Sequence, residues 1–161
     1  MIRLAGQEDM EQILEIYSAA REYMVRSGNP TQWVGGYPAR ELLEEDIRRG
    51  QLYVDQGEEG IHGVFVFFIG EDPCYRVIQG GAWLKEGPYG VIHRVAGDGK
   101  ARGVFQRCME FCKGRWGNLR IDTHGDNHTM QHLIQKHGFQ KCGIVYMEDG
   151  TPRIAYQYLA P

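Results

Sequence analysis

Residues 61–69, Ile-His-Gly-Val-Phe-Val-Phe-Phe-Ile, are β-branched or aromatic almost throughout, and no other segment constrains the fold as strongly. A strand that is apolar on both sides has to be covered on both faces. It follows a second strand, residues 51–55, across the polar turn Gln56-Gly57-Glu58-Glu59-Gly60. The pair therefore reads as an antiparallel hairpin whose second strand lies inside a sheet. The longest unbroken apolar stretch, residues 64–69, is far too short to cross a bilayer.

The rest of the chain supplies the cover. Ile2-Arg3-Leu4 is a short strand, after which Met10, Ile13, Leu14, Tyr17, Ala20 and Met24 recur at the helical period. Gly28-Asn29-Pro30 should end that helix, because glycine and asparagine suit the left-handed cap and proline cannot continue the ladder. A second helix is expected over residues 39–49. Strand 89–96, helix 101–113, strand 119–122 and helix 127–137 then alternate. Strands 142–147 and 153–158 close the chain around Glu148-Asp149-Gly150-Thr151, where Asp-Gly is a strong hairpin signal. This order predicts an α/β fold: a mixed, mostly antiparallel central sheet of about seven strands with helices on both faces. With 161 residues and no repeat or linker, residues 1–161 read as a single domain.

Composition excludes several classes. Apolar residues at 42% and charged residues at 24% are ordinary for globular proteins, which argues against disorder and membrane residence. The net charge is −3 and the basic residues are scattered, so no basic stripe favours nucleic acid. The N-terminus runs at once into a charged amphipathic stretch and lacks a signal peptide's apolar core, which predicts a cytoplasmic protein. Cys74, Cys108, Cys112 and Cys142 are too sparse and uneven for a disulfide framework, and Cys108 and Cys112, one helical turn apart, read as core.

The segment richest in chemistry is Val91 to Phe105, where a strand passes through Gly97-Asp98-Gly99-Lys100-Ala101-Arg102-Gly103 into a helix. Such a junction concentrates unpaired amides at the positive end of a helix dipole and can cradle a pyrophosphate. Lys100 and Arg102 add positive charge there. The pattern is neither the dinucleotide fingerprint nor a Gly-Lys-Thr phosphate loop. It resembles the first signature of the GNAT N-acetyltransferases, Arg/Gln-x-x-Gly-x-Gly/Ala, read here as Asp98-Gly99-Lys100-Ala101-Arg102-Gly103. Asp98 stands where that family has Arg or Gln, and Ala101 replaces its first glycine. Asn127, Leu133, Lys136, Gly138 and Phe139 also fall in register with the family's Asn-x-x-Ala-x-x-Leu-Tyr-x-Lys-x-Gly-Phe signature. The opening strand and helix, the Gly28–Trp33 and Tyr37-Pro38 loop, and the final hairpin are likewise similar to bacterial members.

The resemblance implies acetyl-CoA as co-substrate, moving an acetyl group directly to the primary amine of a small molecule or peptide. Its pantetheine arm would lie between splayed fourth and fifth strands, on backbone groups of Val95 and Ala96, with Asn127 nearby and the diphosphate on Gly99, Lys100, Ala101, Arg102, Gly103 and Val104. A bulge-like break is expected at Gly97, and the backbone N–H of Val95 becomes the oxyanion donor. Homodimers are common among bacterial relatives, although no specific seam is visible here.

An alkylamine with a pKa of about 10.4 must lose a proton before attack, and a thiolate of pKa about 8.5 gains from an acid as it leaves. The family's usual acid is the Tyr of Leu-Tyr, but that position is Ile134. Histidine titrates near neutrality, so His93 on the fourth strand and His124 after the fifth are candidate proton carriers, with Tyr146 a third. Trp33, Tyr37 and Trp83 could shape the amine pocket. Glu44, Glu45 and Asp46 read more simply as a solvated helix face. Two other readings stay open: a non-catalytic acyl-CoA-binding or sensory domain, suggested by Ile134 and Ala101, and a metal-binding protein using Asp122, His124, Asp126, His128 and His132.

Overall fold

A computed structural model describes residues 1–161. Seven strands form one sheet: β1 (Ile2–Leu4), β2 (Leu52–Gly57), β3 (Gly60–Ile69), β4 (Gly90–Gly97), β5 (Asn118–Thr123), β6 (Gln140–Tyr146) and β7 (Pro152–Leu159). Their spatial order is β1-β2-β3-β4-β5-β7-β6, and β4 with β5 is the one parallel pair. Helices α1 (Met10–Arg26), α2 (Arg40–Arg48), α3 (Val104–Arg115) and α4 (His128–Lys136) complete the mixed sheet expected from the sequence. No helix is long and apolar enough to cross a membrane.

β3 uses both faces, as its composition requires. Phe65 and Phe67 pack with Phe105, Met109 and Ile134 of α3 and α4, while Val64 and Val66 pack with Ile13, Tyr17 and Leu43 of α1 and α2. Each such large apolar side chain, once buried, contributes roughly 1.5–3 kcal/mol. A smaller core of Tyr75, Tyr89, Val91, Val145 and Ala155 lies under the 3-10 turn Pro73–Tyr75, which the sequence reading did not anticipate. Cys108 and Cys112 are fully buried in the α3 core, and burial pushes the Cys108 thiol up to about 12.

Two local expectations are corrected. α3 begins at Val104, three residues later than the apolar period suggests, because Gly103 sits in the left-handed region at φ 75° and Asp98 holds the preceding turn. The break in β4 is not at Gly97, which pairs normally with Gly63. It lies at Arg94 and Val95, because Val64 pairs with Ala96 and Val66 with His93, leaving two residues opposite Phe65.

Candidate active site

The parallel pairing of β4 with β5 covers only Gly90–Ile92 against Leu119–Ile121. His93 on β4 and Asp122 on β5 are the first residues past the last paired positions, so the strands splay where the bulge turns β4. Arg94 adopts φ 51°, a left-handed conformation that costs a non-glycine residue about 1–3 kcal/mol. Three bonds from the α1–α2 side hold it. The Arg94 guanidinium donates to Asp46 Oδ2 at 2.6 Å and to the Tyr37 hydroxyl at 3.1 Å, and its carbonyl accepts from the Tyr17 hydroxyl at 2.7 Å. Asp46 is therefore no surface acid: it is 2% exposed and committed to the bulge, whereas Glu44 and Glu45 pair with Arg40 and with Arg48 and Arg49 on the helix surface.

The splay opens into a cleft of about 660 Å³. His93 dominates its chemistry. Its Nε2 lies 2.6 Å from Asp72 Oδ2, and its Nδ1 lies 3.9 Å from Asp122 Oδ2. Burial works to raise the Asp72 pKa, but the bonds from His93 and the Cys74 amide outweigh it, so Asp72 sits below the usual carboxylate range. An ionised carboxylate only accepts, so Nε2 carries the proton shared with Asp72, which leaves Nδ1 as the nitrogen that can exchange one. Asp122 is fixed in turn by the buried Tyr75 hydroxyl at 2.6 Å. Cys74 also lines the cleft, yet burial and then Asp72 push its thiol pKa up, away from a nucleophilic thiolate.

The other residues singled out from the sequence divide. Trp33 and Tyr37 line the cleft, with Trp33 edge-on to Tyr17 at 5.5 Å between centroids. Trp83 does not: its Nε1 donates to the Tyr75 carbonyl, and its ring lies 4.1 Å from the guanidinium of buried Arg120, which Tyr89 faces at 3.9 Å. His124 lies outside the cleft lining. Its Nδ1 accepts the Asp126 amide and its Nε2 lies 3.0 Å from Thr31 Oγ1, so both ring nitrogens are engaged. Burial, then Arg153, lowers its pKa against the opposing pull of Asp126. Tyr146 stands exposed at the end of β6, outside the cleft lining. Asn127 lines the cleft and caps α4, its Oδ1 accepting from the Met130 amide and its Nδ2 donating to Gln32. Ile134 is fully buried in the core. No three His, Cys, Asp or Glu side chains converge to hold a metal, and His128 and His132 are exposed on α4.

Asp72, Tyr75, Arg94 and Thr123 were missed by sequence reasoning. Asp72-Pro73 is a turn opener, and that was the one local signal for Asp72; the others depend on strand partners remote in the chain.

At the turn before α3, the amides of Gly103, Val104, Phe105 and Gln106 have no partner within the chain. Lys100 and Arg102 are exposed beside them. Asp98 takes the amides of Lys100 and Ala101 on Oδ1, at 2.8 and 3.1 Å, and its Oδ2 lies 2.7 Å from His62 Nδ1. The turn is thus braced by Asp98, one of the two residues that depart from the family signature, and the free amides lie after it.

No family profile and no curated protein matches this sequence. Solved structures do. A GNAT-family acetyltransferase from Streptococcus agalactiae is 30% identical with a TM-score of 0.90, the match covering 100% of this chain and 95% of that one. A Staphylococcus aureus protein assigned as an acetyltransferase is 29% identical with a TM-score of 0.71, over 99% and 98% of the two chains. A GNAT acetyltransferase from Listeria monocytogenes, 19% identical over 99% and 94% with a TM-score of 0.70, shares the fold. With nearly a third of its residues shared along the whole length of a GNAT structure, and a sheet splayed between its fourth and fifth strands, this chain belongs to the GNAT family of acetyltransferases.

Proposed function

We propose that this protein is an N-acetyltransferase that moves the acetyl group of acetyl-CoA to a primary amine by direct attack. The observation that carries the reading is the His93–Asp72 pair, both of which line the cleft at the splay of β4 from β5. The residues present also fit a CoA diphosphate. Four amides at the start of α3 lack partners, Lys100 and Arg102 stand beside them, Gly99 leaves the backbone open to approach, and the Arg107 guanidinium stands beside Gly103. Val95, Ala96 and Asn127 would hold the pantetheine arm, and Gly99 to Val104 the diphosphate.

When bound, acetyl-CoA supplies the activated acyl group. The chain's own residues do the rest. Nδ1 of His93 takes the proton an ammonium must lose, and Asp72 fixes the tautomer and stabilises the charge that forms on the ring, acting as a positioning residue. The Val95 N–H polarises the thioester carbonyl, a role worth about 3 kcal/mol for one oxyanion donor. Trp33 and Tyr37 wall the acceptor side. Use of a CoA thioester is consistent with a cytoplasmic protein.

Calorimetry with acetyl-CoA tests the first step, and thiol release in the presence of amines tests the second. Micromolar one-to-one binding, weakened at least tenfold by Gly103→Glu, supports the site; no binding at millimolar acetyl-CoA overturns it. The burial of Ile134 at the family's acid position favours one other reading, a non-catalytic acyl-CoA sensor. Binding without turnover of any amine would establish that reading instead.

A further inference from the structure

We propose that the cleft takes its acceptor as a small aliphatic ammonium ion lacking a carboxylate, docked between Asp122 Oδ2 and His93 Nδ1. The assignment rests on the acetyl-transfer reading and narrows its substrate. The two atoms are 3.9 Å apart, too far to bond each other. A nitrogen about 2.8 Å from each would see them at roughly a right angle, close enough to tetrahedral for two N–H bonds of one ammonium to reach both. Tyr75 donates to the same Asp122 Oδ2 at 2.6 Å and holds that oxygen in place with acceptor capacity left for a second donor, and Asp72 fixes His93 on its other nitrogen.

Charge in the cleft favours the same occupant. Two guanidiniums line it, but Arg94 is consumed by Asp46 at 2.6 Å. Arg153 is 8% exposed, bonded to Thr151 Oγ1 and the Pro152 carbonyl, and helps Thr151 hold Asp149 below its usual pKa. Asp122 and exposed Glu148 are left without a cationic side chain of their own within bonding distance in the cleft, and Asp72 has only His93. Four carboxylates of the lining, Asp72, Asp122, Glu148 and Asp149, outnumber Arg153, its one guanidinium not bonded to a carboxylate, so the cleft is acidic on balance and favours an ammonium over a carboxylate.

A separate observation marks the cleft as built for a ligand. Thr123, on β5 just past the splay, lines it, is 0% exposed, and has no partner for its Oγ1 within the chain. A buried hydroxyl in that state costs about 1–3 kcal/mol, and a bound polar group offsets the cost.

The step balances with no further reactant. The ammonium gives one proton to His93 Nδ1, and its freed lone pair forms the N–C bond as the C–S bond breaks. The new amide nitrogen loses a second proton, the departing sulfur gains one, and His93 returns its proton to solvent. The sum is ammonium plus thioester giving N-alkylacetamide, thiol and one proton.

The test uses the full chain with acetyl-CoA and 1,4-diaminobutane, n-butylamine or L-alanine, read by thiol release. Both aliphatic amines are expected to exceed L-alanine in kcat/KM by at least tenfold, the diamine leading. Asp122→Asn, which keeps an acceptor for Tyr75, should raise KM for the diamine about tenfold, and Glu148→Gln should erase the diamine's lead over n-butylamine. Preference for L-alanine, or amine KM values unmoved by Asp122→Asn, overturns the docking assignment and leaves acetyl transfer standing. Failure of every amine, with acetyl-CoA bound, overturns both.

Discussion

Tyr17 of α1 donates its hydroxyl to the carbonyl oxygen of Arg94 at 2.7 Å, tying the first helix to the chain's one non-glycine residue with positive φ. The bond spans 77 residues of sequence and reaches the point where β4 bulges. Burial pushes the Tyr17 phenol far above its ordinary pKa, so the hydroxyl stays a donor at any working pH. Replacing it with phenylalanine removes the donor and keeps the ring, and should cost roughly 1–2 kcal/mol in urea unfolding. If the bulge positions the oxyanion donor at Val95, Tyr17→Phe also lowers kcat several-fold while the KM for the amine stays within twofold. An unchanged kcat beside a lowered urea midpoint would show that Tyr17 serves stability alone.

Asp98 offers a test with opposite signs. Burial alone would raise its pKa, but the bond with His62 and the two amide bonds outweigh that, so it is a carboxylate at neutral pH. It stands at the first position of the signature, where its charge opposes a diphosphate while its geometry braces the turn that would receive one. Asp98→Ala discriminates. Loss of bracing should weaken acetyl-CoA binding about tenfold in calorimetry, the scale of one or two lost hydrogen bonds to a charged group. Tighter binding would mean that charge repulsion is the larger effect.

Thr123→Val separates function from stability in a way most core substitutions do not. The change keeps the β-branched shape and removes a hydroxyl that has no partner in the free protein. Thermal stability without ligand should therefore hold or rise, since an unsatisfied buried hydroxyl contributes nothing favourable. Turnover and the stabilisation conferred by acetyl-CoA should both fall if a substrate group meets that hydroxyl. A drop in Tm of the ligand-free protein would instead point to a structural bond made through water.

Most of the fold was legible because its signals are local. The apolar run of β3, the Gly-Asn stop after α1 and the Asp-Gly turn before β7 each act within a few residues, and each element forms where those signals place it. The site was legible only in part. His93 could be named from its strand and its residue type, but Asp72 lies 21 residues away as the cap of a 3-10 turn, and nothing near His93 announces it. Asp46 looked like one more acid on a solvated helix until Arg94, 48 residues on, turned it inward. Glycine, the usual breaker, points to Gly97 for the bulge, but it forms at Arg94 because side-chain partners on α1 and α2 hold that conformation, a tertiary cause without a local sequence mark. Ile134 shows the converse. The missing tyrosine was plain from the signature, yet its consequence needed the core: Ile134 packs among Phe105, Met109 and Phe139, so the acid was replaced by packing.

The N-terminal corner gives a prediction about pH and stability. Asp9 accepts two bonds from the Arg3 guanidinium, at 2.8 and 2.9 Å, and one from the Gly6 amide at 2.8 Å, and it is 5% exposed. The bond from Arg3 is the main influence and lowers the Asp9 pKa, against burial, which raises it; the Gly6 amide lowers it further. The folded pKa therefore lies below the unfolded value of about 3.9. Because the unfolded chain binds the proton more readily, the stabilisation is complete above the unfolded pKa and is lost as pH falls through the folded one. Asp9→Asn should destabilise the protein at pH 7 by roughly 2 kcal/mol, the scale of charged hydrogen bonds lost from a buried site. Urea unfolding at a series of pH values from 7 down to 2 should show that gap constant to about pH 5 and closing below pH 4. A gap that persists unchanged to pH 2 would assign the loss to altered packing at the asparagine rather than to the carboxylate's charge.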